Sequence, residues 1–187
     1  MREFLALPLP EEVRRAGGAV AARLAEIEGW RATREEGLHV TLRFLGEVDP
    51  ARHRALGASW RAAAEGTGPL RLRLGGFLFL PSPARARVCA IVLVDETPGE
   101  ALAALADRVE RAARVLGFKT EPRPFAPHVT VARARPAVRA SMPPPAVGGN
   151  ALDFVADRLV LFSSELKPGG SLYAELESYP FGPAARG

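Results

Sequence analysis

Hydrophobic and polar positions change their period along this chain in a way that marks out its elements. Residues 2–9 alternate enough to predict a strand, and residues 38–45, Leu-His-Val-Thr-Leu-Arg-Phe-Leu, alternate strictly. Between them Pro10-Glu11-Glu12 opens a helix predicted to run to about Glu28. Gly17-Gly18 weakens that helix by roughly 1–2 kcal/mol relative to alanine. Asp49-Pro50 sets an N-cap and a first-turn proline before a helix to about Glu65. Strands follow at Leu70–Leu80 and Ala86–Val94 around the turn Pro81-Ser82-Pro83. Pro98-Gly99-Glu100 opens the clearest helix, ending at Leu116 with Gly117 as its C-cap. A proline-rich loop, Glu121–Pro127, leads into a short strand, His128-Val-Thr-Val. Pro143-Pro144-Pro145 and Gly148-Gly149 mark a long loop. Strands at Phe154–Ser163 and Ser171–Tyr179, with a turn at Pro168-Gly169-Gly170, finish the chain.

This order is an approximate duplication, with repeats near 1–80 and 85–187. Hairpins mixed with helices predict α+β with antiparallel sheet, not a doubly wound parallel fold. The expected architecture is a single bilobal domain of residues 1–187. Each of its two pseudo-symmetric lobes is an antiparallel sheet with helices on the outside, and an active-site cleft lies between them.

Composition narrows the setting. The 187 residues are 48% hydrophobic and 25% charged, enough to bury a core and too apolar for a disordered chain. Arg or Glu interrupts every apolar stretch, so no membrane span is expected. The opening Met1-Arg2-Glu3-Phe4 runs straight into a strand pattern, which predicts a cytoplasmic protein without a leader. The single cysteine, Cys89, reads as a small core residue and excludes an internal disulfide. The net charge is +4, and only Lys119 and Lys167 of the 25 basic residues are lysine. Arginine's planar fork suits phosphate, so a nucleotide or nucleic acid is a natural partner, although arginine enrichment alone has blander sources.

The histidines carry the chemistry. Two of the three sit in near-identical tetrapeptides, His39-Val40-Thr41-Leu42 and His128-Val129-Thr130-Val131. With six threonines in the chain, two such HxT spacings among three histidines are roughly a 0.3% coincidence. On a strand each His shares a face with its Thr while the valine packs behind. Two facing repeats would bring two imidazoles and two hydroxyls onto one small volume. Imidazoles titrating near ~6.5 can then serve as general base and general acid on either side of a phosphorus, with hydroxyls holding its oxygens. One HxT alone is an ordinary β-branched strand; the symmetric pair is not. Two histidines without carboxylate or cysteine companions do not make a metal site, so no metal and no cofactor are expected. His53 reads as part of a solvated helix face, Ser163-Ser164 lacks a nucleophile-elbow pattern, and Gly75-Gly76 is too short to cradle a dinucleotide.

The paired HxT segments resemble the 2H phosphoesterase superfamily, specifically the bacterial and archaeal RNA 2′,3′-cyclic phosphodiesterases, also called 2′-5′ RNA ligases. Arg2-x-Phe4-x-Ala6-Leu7 is similar to that family's first strand. Leu38–Glu47 and Arg123–Arg133 resemble its two signature segments, and Leu161–Tyr173 its closing hairpin. The resemblance implies metal-independent hydrolysis of RNA 2′,3′-cyclic phosphate ends to 2′-phosphates. It also implies reversible 2′-5′ joining of such ends to 5′-hydroxyl RNA, in a monomer. His39 would be the proton donor and His128 the proton acceptor, with Thr41, Thr130 and Arg133 on the phosphate. Strand alternation puts Arg133 on the face opposite His128 unless the strand bulges after Val131. Alternation puts Arg43 on the face of His39 and Thr41, where it would touch RNA. Phe4 would stack on a base or pack in the core. Arg31, Arg34, Arg123, Arg135 and Arg139 cluster near the two motifs in sequence and would follow an RNA backbone. Alternative activities are a 2H phosphodiesterase acting on small cyclic nucleotides or 2′-5′ oligonucleotides, and a non-catalytic RNA-binding module.

Overall fold

A computed structural model describes residues 1–140, 153–167 and 170–183, with backbone alone for residues 50–55. The expected loop through Pro143-Pro144-Pro145 and Gly148-Gly149, Pro168-Gly169 of the last turn and the side chain of His53 lie outside the described residues. The described elements run β1 (Arg2–Pro8), α1 (Glu11–Ala25), β2 (Trp30–Ala32), β3 (His39–Glu47), α2 (Pro50–Glu65), β4 (Leu70–Leu80) and β5 (Ala86–Asp95). They continue with α3 (Ala101–Val115), β6 (His128–Val138), β7 (Asp153–Ala156), β8 (Arg158–Lys167) and β9 (Gly170–Pro180). Every strand pairing is antiparallel.

The strand order β7-β4-β5-β6-β3-β1-β8-β9 reads alike from both ends. A pseudo-twofold therefore passes between β6 and β3, whose ladder holds one residue pair, Val40 with Val129. The predicted lobes are these two four-stranded halves, joined edge to edge into one α+β sheet. Ala6, Leu7 and Pro8 pair with Thr41, Val40 and His39, while Ala90, Ile91 and Val92 pair with Thr130, Val129 and His128. The two halves match residue by residue.

The spatial halves do not follow the sequence repeats near 1–80 and 85–187. β4 leaves the first repeat to pair with β5, and β8 returns from the second to pair with β1. The stretch predicted as one strand, Phe154–Ser163, is two: β7 lies on β4, β8 lies on β1, and Asp157 alone separates them. One residue covers only about 3.8 Å of chain, so the sheet must curl into a half-barrel until its ends approach. β2 was not expected; its three residues pair with Trp30, Arg31 and Ala32 opposite Ala134, Arg133 and Ala132.

The convex face carries the core. Leu5, Leu7, Val40, Ile91 and Val129 point to it and are buried with Val13, Val20, Leu24, Leu105 and Val109 of the helices. α1 packs on β2 and β6, and α3 packs on β3, so each helix crosses to the opposite half and clamps the central seam. Gly17, which weakened the first helix in the sequence, is buried there; a Cβ would come within 2.9 Å of the Leu38 side chain. α3 ends as expected, with Gly117 at φ +82°. Cys89 is fully buried, and burial pushes its thiol up to about 11.

Candidate active site

The concave face holds the two HxT strands side by side. Pairing of Val40 with Val129 in antiparallel register sets His39 across from Thr130 and Thr41 across from His128. All four side chains are half-buried at the floor of the sheet. The histidines are held alike. His39 Nδ1 lies 2.9 Å from the Gly37 carbonyl oxygen and His128 Nδ1 lies 2.7 Å from that of Ala126, in each case two residues upstream. A carbonyl only accepts, so Nδ1 carries the hydrogen in both rings. Each Nε2 is left to the cleft, a lone pair when the ring is neutral and a donor when it is charged.

Two bulges decide which further side chains reach this face. In β3 the register slips at Leu42, which has no partner between Thr41 with Ala6 and Arg43 with Leu5. In β6 it slips at the matching residue, Val131, between Thr130 with Ala90 and Ala132 with Cys89. Each extra residue reverses the alternation beyond it. Arg133 is thereby brought onto the face of His128 and Thr130, the bulged alternative left open by the sequence. The same slip overturns the expectation for Arg43. It turns to the convex side with Leu5 and is only 7% exposed. There its Nε meets Glu110 Oε2 at 2.6 Å and its Nη1 donates to the Phe44 carbonyl at 2.7 Å, while Nη2 donates to the Lys119 carbonyl. Arg43 fastens α3 and the segment after it to β3. Phe44 takes its place on the concave face, 59% exposed, at the position matching Arg133 in the other half.

The walls break the symmetry of the floor. Phe4 is 1% exposed, so it is a wall of the site and not an open surface for a base. Its ring centroid lies 4.7 Å from His39, 5.3 Å from Phe162, 5.2 Å from Tyr173 and 5.7 Å from Phe44. Tyr173 also meets the His39 ring edge-on at 5.1 Å. The strand positions that match Phe4 and Phe162 in the other half hold Val88 and Leu80. Phe162, Tyr173 and Phe44 were missed in the sequence because nothing near the histidines announces them. Burial in this aromatic box pushes His39 down to about 4; the positive charges of Arg133 and His128 add to the shift, and the Gly37 carbonyl opposes it. At neutral pH His39 is therefore a neutral imidazole.

Among the described residues no group of three or more His, Cys, Asp and Glu side chains is placed to hold a metal ion. No described helix is long and apolar enough to cross a membrane. A floor of two imidazoles and two hydroxyls around a pseudo-twofold, with one arginine at its rim, defines the class: a phosphoesterase with paired histidines. The model of the LigT-like phosphoesterases matches residues 7–90 and 92–173, and the chain belongs to that family. A Thermus thermophilus protein named RNA 2′,3′-cyclic phosphodiesterase is 34% identical over 185 residues, 96% of this chain and 89% of its own. An Escherichia coli protein of the same name is 31% identical over 183 residues, covering 95% of each chain. A crystal structure from Thermus thermophilus matches with a TM-score of 0.84 at 30% identity, over 98% of this chain and all of the other. That of Escherichia coli LigT complexed with 3′-AMP matches at 0.74 and 28%, over 96% and 97%.

Two outcomes test this geometry. Arg43→Ala breaks a mostly buried ion pair and is expected to lower stability by up to about 3 kcal/mol in chemical denaturation. Its KM should stay at the wild-type value, whereas an arginine that touched substrate would raise it. His39 followed by NMR in the empty protein is expected to titrate near 4. The sign for stability follows, because the unfolded imidazole binds near 6.5 a proton the folded one refuses. Stability is thus complete above 6.5 and falls as the pH drops towards 4; a midpoint at or above 6.5 contradicts the aromatic box as described.

Proposed function

We propose that this chain hydrolyses RNA 2′,3′-cyclic phosphate ends to 2′-phosphates without a metal. The observation that carries the reading is the pair of HxT strands meeting at Val40 and Val129, which sets both histidines and both threonines about one point. The names of the relatives and the 3′-AMP in the Escherichia coli LigT structure support the substrate. Water attacks phosphorus as the bond to the 3′ oxygen breaks. His128 takes the proton that water loses and His39 gives one to the departing oxygen. Thr41 and Thr130 donate to the non-bridging oxygens, and Arg133 offsets the charge that gathers on them.

His39 is neutral before substrate arrives, and the substrate itself supplies the remedy. A phosphodiester anion between the histidines offsets the cost of burying an imidazolium and the repulsion from Arg133. Binding therefore draws in the proton that later leaves with the 3′ oxygen. Phe44 is the ring left open on the concave face and stacks on a base. With a 5′-hydroxyl RNA in place of water, the same displacement makes a 2′-5′ linkage, and it runs in either direction. One chain supplies the whole site, which suits a monomer.

The test uses an RNA oligomer ending in 2′,3′-cyclic phosphate, with EDTA present. Wild-type protein should give a 2′-phosphate end, and His39→Ala or His128→Ala should each lower the rate by about 10²–10⁴-fold. Undiminished turnover by either variant, or activity lost in EDTA alone, overturns the reading.

A further inference from the structure

Five arginines elsewhere on this surface find carboxylates: Arg15 with Glu11, Arg61 with Glu177, Arg73 with Glu96, Arg123 with Glu121 and Arg158 with Asp157. Others, such as Arg23, Arg87, Arg111 and Arg114, are exposed without an ion pair among the described residues, but one unpaired group is set apart by its placement beside the two histidine strands. Arg31 of β2 pairs directly opposite Arg133 of β6. Residues opposite each other in an antiparallel ladder project to one side, so both guanidinium groups share the concave face. Arg135, two residues further along β6, shares it as well. All three are exposed, and among the described residues none of them forms an ion pair. Like charges set directly opposite on neighbouring strands repel. Placed beside a phosphate site, such a cluster favours a further anion.

We propose that Arg31 and Arg135 form a second phosphate subsite, which takes the internucleotide phosphate next to the cyclic end, so that the substrate is an RNA chain in preference to a lone nucleoside cyclic phosphate. The inference rests on the function proposed above and adds a direction to it. Beyond Thr130 and the bulge at Val131, β6 carries Arg133 at the reacting phosphate and then Arg135, with Arg31 alongside. The opposite half presents Phe44 at the place of Arg133. The cleft thus has a cationic lining along β6 and β2, suited to a backbone, and an aromatic lining along β1, β3 and β8, suited to bases. Of the five arginines grouped from the sequence, the ladder selects these two. Arg123 is paired with Glu121, and Arg34 and Arg139 lie outside β2 and β6.

The experiment compares a nucleoside 2′,3′-cyclic phosphate with an RNA oligomer bearing the same end, using wild-type protein, the double variant R31A/R135A and the charge-keeping R31K/R135K. The double alanine variant should lose about tenfold or more in kcat/KM on the oligomer and stay within about twofold of wild type on the nucleoside, with lysine restoring part of the loss. Its binding of single-stranded RNA should weaken less steeply with salt, the logarithmic slope falling by about 0.7 for each phosphate contact removed. Equal losses on both substrates, or an unchanged oligomer rate and salt slope, overturn the subsite. Wild-type protein that turns over neither substrate overturns the proposed function instead, and the salt slope alone then decides the subsite.

Discussion

The meeting of Val40 and Val129 is the constraint on which the rest of this molecule depends. It is the one residue pair in the ladder of β3 with β6, and it fixes the seam between two otherwise separate half-sheets. A slip of one residue would turn a histidine and a threonine from the cleft into the core. Apolar burial guards the register, since both valines are wholly or almost wholly buried and each is flanked by a buried Leu7 or Ile91 on the next strand. α1 and α3 add to this by crossing the seam to pack on the far strand. The strand exchange of β4 and β8 also ties the two halves together through the chain.

Upon this symmetric floor the chain builds an asymmetric site. The bulges at Leu42 and Val131 occupy equivalent positions, yet what they deliver differs: a buried arginine and an open phenylalanine on one side, an alanine and an open arginine on the other. Rings enclose His39 and leave His128 in a less apolar setting. The two imidazoles thus sit in different surroundings on a shared floor. The difference comes from packing. Phe162 and Tyr173 arrive from the C-terminal hairpin to close over a histidine more than a hundred residues earlier.

Most of the elements and the two central histidines were legible in the sequence because they rest on local signals. Strict alternation marks β3, proline and glycine punctuate α2 and α3, and two matching HxT spacings stand out among only three histidines. The rest depends on partners that sequence does not name. A bulge is a property of two strands, so Leu42 and Val131 look like ordinary alternating residues, and Arg43 and Arg133 are misplaced by simple counting. β2 is three residues long, too short for any period to register. The apolar runs on either side of Asp157-Arg158 read as one strand, yet the chain changes neighbours there from β4 to β1. The neutral state of His39 follows from burial among Phe4, Phe162 and Tyr173, which only the assembled hairpin reveals.

The most direct measurement of the central claim, that both halves act on one phosphorus, is a titration of the protein with a nucleoside 2′-phosphate, following the ring nitrogens of both histidines by NMR. His39 and His128 should respond together with a single affinity, and His39 should move towards the imidazolium form as the anion binds. A response from one histidine alone, two different affinities, or a His39 that stays neutral with the phosphate bound would contradict that claim.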